Sequence, residues 1–397
     1  LRIEDTDISR SRKEYEEEIL ESLKWLGFYW DEIYYQSKRL DLYREYAEKL
    51  LKEEKAYLEE SNKGRAIIFR VPQRRIKIND LIRGEIEFDT SNIKDQVLIK
   101  SDGTPTYNFA CVIDDALLKI THVIRGDDHL SNTPKQVLLY EALGFSMPYF
   151  AHLPLIMGMQ GGRLSKRTGA TSISEYKKMG YLPEALVNYL LLLSWSPGDN
   201  REIISIEEAK ALFDIKDVNK TPAAFDIKKL SWMNSQYIKS YDSEKLLDLL
   251  LPYLIQAGYT KEDFDRKNLI SLVKLFQGRI NTLADFLDWA DYFFLEDINI
   301  PQELKDKFLN KDFSKEFSLF LDRLDKLEDF NILTIENTFR DLVRELNIQA
   351  KELIHPIRVA LTGKTVGPGL FEIIYYLGKE RTRKRLQKFI KKGEEEC

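Results

Sequence analysis

The 397-residue chain has two cysteines, Cys111 and Cys397. They form no CxxC pair, and no His/Cys cluster has zinc spacing, so no metal-bound framework is expected. So few thiols also exclude a disulfide-built scaffold, and the economical compartment is reducing cytosol. No apolar run approaches the roughly 20 residues that span a bilayer; Leu186 to Trp195 is apolar but too short. The first residues show no signal-peptide pattern. There are four histidines and no GxSxG, so nothing suggests a serine-hydrolase triad. Gly161-Gly162 lacks the GxxxxGK spacing, which excludes a P-loop ATPase. The formal charge of −5 announces no global affinity for nucleic acid, so any phosphate contact must come from clustered cations.

What is present can build cores. Hydrophobic residues make up 43% and aromatics 12%, and the length suits two to four domains. Leu1 to Glu4 reads as the tail of a strand. Tyr15, Ile19, Leu23 and Leu26 form a helical stripe closed by Gly27, and Tyr43, Tyr46, Ala47, Leu50 and Leu51 form another within residues 42–55. Short strands follow at 67–71, 84–88 and 97–100, and they read as an insertion. The pattern then gives a helix at 107–115, a strand at 119–124, a helix at 134–143 and a strand at 151–157. Thr133 is placed as the N-cap of the third of these and Gly144 as its end. Such alternation predicts an α/β domain with a parallel sheet. Beyond Leu182 the period is helical and strand signals vanish, so an all-α part follows a boundary near 200–240.

Several clusters have chemistry to offer. Arg163-Leu164-Ser165-Lys166-Arg167 sets three cations around a hydroxyl between Gly161-Gly162 and Thr168-Gly169, which suits a phosphate chain whose charge redistributes. The plainer reading is a solvated basic turn. Arg125 stands at the carboxyl end of the strand at 119–124, where open α/β sheets bind ligands, and can face a carboxylate or phosphate. Its plainer reading is a surface ion pair with Asp127 or Asp128. Tyr107, Cys111 and Asp114 share a helix face at i, i+4 and i+7, or Asp114-Asp115 is a solvated helix end. Period two puts Arg2 and Glu4 on one face, where a carboxylate can bind an ammonium group or close an ion pair.

Seven segments in collinear order resemble bacterial glutamyl-tRNA synthetases: Arg2 to Asp7; Asp102 to Tyr107; Arg125 to His129; His152 to Leu155; Arg163 to Arg167; Trp232 to Asn234; and His355 to Gly363. The resemblance covers nearly the whole chain. It implies an α/β Rossmann-type catalytic domain with an inserted α+β acceptor-binding segment, then an all-α anticodon-binding region. The implied divisions are 1–40, 41–105, 106–240, 241–300 and 301–397. The cationic loop is similar to the family's KMSKS-type signature. By that resemblance Lys166 contacts ATP phosphates, supported by Arg163 and Ser165, while Leu155, Ile156 and Leu164 lie near adenine and Asp128 near the ribose. Glu4, Tyr107, Cys111 and Arg125 fall on glutamate-binding positions, with Arg125 toward the side-chain carboxylate and Glu4 toward the α-ammonium. Lys229, Trp232 and Arg279 fall on tRNA-contacting positions. The implied partners are glutamate, ATP with Mg2+, and tRNA(Glu), with no zinc and no membrane, in a cytoplasmic monomer.

The resemblance also marks departures. The family's HIGH signature lies before the segment that matches Arg2 to Asp7, so the chain is expected to lack its natural start and, as it stands, to make adenylate poorly. The alternative is a scaffold that binds tRNA without the chemistry. The stretch between Ala56 and Phe69 is short for the family, and Cys111 stands where some relatives have asparagine. The basic stretch Lys379 to Lys392 either faces tRNA phosphates or is a solvated helix face.

Overall fold

The period change read between residues 65 and 100 becomes two separate β structures. The computed structural model describes all residues except 8–10, 63, 163, 165–171, 261–264 and 391–397. In chain order the first unit opens with β1 (Arg2–Ile3), α1 (Lys13–Trp25), β2 (Tyr34–Tyr35), α2 (Leu40–Lys52), β3 (Ala56–Ser61), β4 (Gly64–Phe69), β5 (Arg75–Asp80), β6 (Gly84–Asp89) and β7 (Gln96–Ile99). It continues with α3 (Tyr107–Leu117), β8 (His122–Gly126), α4 (Thr133–Leu143), β9 (Tyr149–Leu153), β10 (Ile156–Gly158) and β11 (Ala223–Phe225), with three α-helices among the described residues between the last two strands.

β3, β4 and β7 form an antiparallel sheet of their own. The β5–β6 hairpin instead enters a mixed sheet of order β6-β5-β9-β8, in which β8 and β9 run parallel. The expected insertion is therefore divided, and half of it extends the parallel strands. β5 was not foreseen, although its sequence alternates: Ile76 and Ile78 are buried and Arg75 and Lys77 exposed. β3 was missed because half of its residues are charged or polar.

The strand expected over 119–124 starts only at His122. Lys119 has φ +57°, a left-handed turn that ends α3 and reverses the chain. The strand expected over 151–157 is two, because Pro154 interrupts the ladder. β10 then pairs in parallel with β11, a strand beyond Leu182 that the helical period hid.

The α2 stripe is the one that packs: Tyr43, Ala47 and Leu50 are fully buried against residues of β4, β7, α3 and α4. The α1 stripe does not, since no residue of α1 is buried and Tyr15 and Ile19 are about half exposed. Asp114 binds α2 to α3. It is fully buried and accepts from Gln36 Nε2 (3.0 Å), Arg39 Nε (2.8 Å) and Tyr43 Oη (2.8 Å). An Asp114→Ala variant strands these three donors and is expected to lose about 2–3 kcal/mol of stability, read as a lower urea midpoint.

The chain divides into two compact units, residues 1–177 with 183–233 and residues 178–182 with 234–397. Among its described residues the second has helices and no strand, from Ser243–Gln256 to Leu370–Gln387. Its last helix kinks at Gly378 (φ +78°) just before the basic stretch. Much of that stretch's charge is used inside the unit. Lys379 donates to the carbonyl of Leu327 (2.6 Å), Lys384 and Lys388 pair with Glu296 and Asp297, and Arg385 is almost fully buried. Arg385 donates to the carbonyls of Leu361, Tyr292 and Leu295, and burial holds its guanidinium below the usual pKa.

Candidate active site

Arg2 on β1 and Glu4 just after it turn the same way, and they meet α3. Arg2 Nη2 donates to Glu4 Oε1 at 2.8 Å, and Arg2 Nη1 pairs with the Asp115 carboxylate. Cys111 Sγ lies 3.3 Å from Glu4 Oε1 and 3.7 Å from Arg2 Nη2. α3 thus offers Tyr107, Cys111 and Asp115 to this cluster. The expected third member, Asp114, is turned away by the donors of α2, and neither aspartate is a solvated helix end. Burial works against the charge of Arg2, but Cys111, Asp115 and Glu4 around it outweigh that and raise its pKa. Burial, with Glu4 beside it, pushes the Cys111 thiol well above its usual value. With Cys397 replaced by serine, a thiol reagent at about pH 8 is therefore expected to find no reactive group until the protein unfolds.

Arg125 leaves the carboxyl end of β8. Its Nε donates to His152 Nε2 (3.1 Å) and its Nη2 to Thr133 Oγ1 (2.9 Å). Thr133 therefore anchors Arg125 rather than capping α4, where Asn132 takes the cap position. The surface ion pair read for Arg125 does not form: Asp127 is held by Arg83, and no carboxylate among the described residues pairs with Arg125. Tyr107 sits between the two clusters. Its hydroxyl is pushed up to about 12 by burial and by Cys111 and Glu4, while Arg125 pulls it down. It also lies 3.4 Å from His129 Nδ1.

Of the residues expected near a nucleotide, Asp128 lies in the turn after β8. Leu155 joins β9 to β10, and Ile156 opens β10 and is partly exposed. Gly161 (φ +84°) and Gly162 (φ +77°) reverse the chain, an arrangement other residues resist. The Leu164 amide then returns to the Ile156 carbonyl at 3.3 Å. Arg163, Ser165 and Lys166 lie outside the described residues.

Lys229 and Trp232 occupy one helix, Ile227–Ser240; Lys229 pairs with Glu202 (2.7 Å) and Trp232 is exposed. Arg279, in the second unit, stands in a turn after the helix Arg266–Gln277 rather than on a helix. Arg358 faces it. Burial lowers the Arg358 pKa and the neighbouring Arg279 charge lowers it further, while Nη1 donates to the Pro368 carbonyl at 2.7 Å.

Residues 1–66 and 58–232 match the family model described as tRNA synthetases class I (E and Q), catalytic domain. The chain belongs to the class I (E and Q) tRNA synthetases. Residues 245–390 match an anticodon binding domain. The chain is 43% identical to glutamate–tRNA ligase 2 of Thermoanaerobacter pseudethanolicus, with 98% of the chain and 90% of the relative covered. It is 41% identical to the glutamate–tRNA ligase of Aquifex aeolicus, covering 99% and 91%. Among solved structures, a glutamate tRNA ligase from Elizabethkingia meningosepticum in complex with its amino acid superposes with TM-score 0.86 at 31% identity, covering 98% of this chain and 91% of that one.

The fold of this class I synthetase, an α/β catalytic part with mixed sheets and then a helical anticodon-binding region, is the one expected. Sequence reasoning did not select Arg2, Asp80, Thr133 or His152 as site residues. Arg2 was within reach through its alternation with Glu4. Asp80 and His152 meet across 72 positions of sequence.

Proposed function

We propose that this class I synthetase is a glutamate–tRNA ligase working in the cytoplasm as a monomer. The observation that carries the reading is the likeness to glutamate–tRNA ligases over 98% of the chain and 90% of the relative. Glutamate's α-carboxylate attacks the α-phosphorus of ATP, entering as its magnesium complex, and pyrophosphate leaves. A terminal ribose hydroxyl of tRNA(Glu) then attacks the adenylate's carbonyl carbon, losing its proton, and AMP departs. No covalent bond to the protein is required, so positioning and charge stabilisation carry the catalysis.

The proposed roles follow the clusters. Arg125 receives the side-chain carboxylate, Glu4 the α-ammonium, and Tyr107 and Cys111 line the glutamate between them. Arg2 holds Glu4 in place from one side. Leu155, Ile156 and Leu164 flank adenine, Asp128 the ribose, and Lys166 with Arg163 and Ser165 the phosphates. Lys229 and Trp232 face tRNA, and Arg279 reads its anticodon. The helical region is proposed to divide into 241–300 and 301–397.

ATP–pyrophosphate exchange in the presence of tRNA(Glu) tests the reading. Exchange is expected with glutamate and not with glutamine, followed by glutamylation of the tRNA. Binding of tRNA without any exchange would identify a scaffold that lacks the chemistry.

A further inference from the structure

Two buried side chains outside the expected site converge on Arg125. Asp80 ends β5 and His152 lies on β9, with exposures of 2% and 0%. Asp80 Oδ1 accepts from the backbone amides of Ile82 (3.0 Å), Arg83 (2.8 Å) and His152 (3.3 Å). Its other oxygen, Oδ2, lies 2.6 Å from His152 Nδ1. On the far side of the ring, Nε2 lies 3.1 Å from Arg125 Nε and 3.0 Å from Thr133 Oγ1.

These distances allow one arrangement of protons. An arginine nitrogen can only donate, so His152 Nε2 accepts and carries no proton. Nδ1 then carries the proton and donates to Asp80. Burial, the largest influence, pushes the Asp80 carboxyl up, but the hydrogen bonds from His152 and the three amides bring it below its usual value. An ionised Asp80 is the acceptor that Nδ1–H requires. The opposite tautomer would point Nε2–H at Arg125 Nε–H.

We propose that Asp80 and His152 form a positioning relay that aims the Arg125 guanidinium and so sets specificity for a side-chain carboxylate. The proposal rests on the glutamate–tRNA ligase reading of the same site. His152 fixes Nε and Thr133 fixes one Nη2 hydrogen, so the plane of the fork is determined from behind. The outer hydrogens then meet both oxygens of a carboxylate as a pair. An amide in the same place turns an NH2 toward a donor that cannot rotate away. The relay also explains why the β5–β6 hairpin joins this sheet, since Asp80 is the residue through which β5 registers with β9, opposite Phe150.

Asp80→Asn tests the relay with almost no change of volume. The three backbone amides hold Oδ1 as the carbonyl oxygen, which leaves NH2 facing His152 Nδ1. The ring proton must move to Nε2, and two donors then oppose each other at Arg125. The glutamate KM is expected to rise roughly tenfold, with the ATP KM near wild type and the preference for glutamate over glutamine reduced. His152→Leu should raise the glutamate KM likewise, and His152→Gln, which restores an acceptor oxygen, should recover part of the loss. In wild-type protein, 15N NMR should show His152 protonated at Nδ1. A wild-type glutamate KM in Asp80→Asn, no recovery in His152→Gln relative to His152→Leu, or a proton on Nε2 would each overturn the relay. The tautomer is read without turnover, so absence of glutamate-dependent exchange in the wild type would count against the ligase reading alone.

Discussion

Replacing Lys166 with alanine is expected to lower glutamate-dependent ATP–pyrophosphate exchange by roughly 100- to 1,000-fold while the melting temperature stays at the wild-type value. The magnitude is that of losing one preorganised group facing charge that develops in the transition state. As glutamate attacks, negative charge accumulates on the departing pyrophosphate, and a cation matters more there than in the ground state. The effect should therefore fall mainly on kcat, with the ATP KM changed less. Lys166→Arg keeps the charge but spreads it over a planar fork, so partial activity is expected. Stopped-flow measurement of adenylate formation separates the chemical step from product release. Undiminished exchange in Lys166→Ala would remove the cationic loop from the mechanism.

Arg125→Ala is expected to weaken glutamate binding by about 3 kcal/mol, a rise of roughly 150-fold in Kd, because a paired carboxylate loses its counter-charge in a partly dehydrated site. Two of its donors are committed to His152 and Thr133, so the variant also removes those two hydrogen bonds. Stability is expected to fall by about 1–2 kcal/mol for that reason. Arg125→Lys separates the two contributions. It restores the charge but lacks the geometry to reach His152, Thr133 and a substrate carboxylate together. Glutamate affinity should stay well below wild type in Arg125→Lys, and discrimination against glutamine should collapse. Calorimetric titration with each amino acid reads both effects. Equal affinity for glutamate in wild type and Arg125→Ala would exclude this residue from the substrate site.

Legibility differed by the range of the interaction involved. The α2 stripe was readable because burial of Tyr43, Ala47 and Leu50 depends on a spacing of three and four within one helix. The α1 stripe had the same kind of spacing and buries no residue fully, since periodicity specifies a face and not what covers it. The end of α4 was readable because Gly144, with φ +71°, supplies a left-handed turn by itself. Its beginning was misread, because Thr133 finds a stronger claim on its hydroxyl from Arg125 than from its own helix. The insertion was recognised by its change of period, but the partner of β5 was not, because pairing with β9 joins residues about 70 positions apart.

The sequence by itself determined the order and type of most elements, the family and the positions of its motif residues. Those properties reside in spacings of a few residues and in segments that keep their order. Only the tertiary structure decided which polar groups meet. It took Asp114 from the expected cluster and gave Asp115 and Arg2 in its place. It also placed Asp80 and His152 behind Arg125. A buried donor must find an acceptor, but which one it finds depends on how strands and helices distant in sequence pack together.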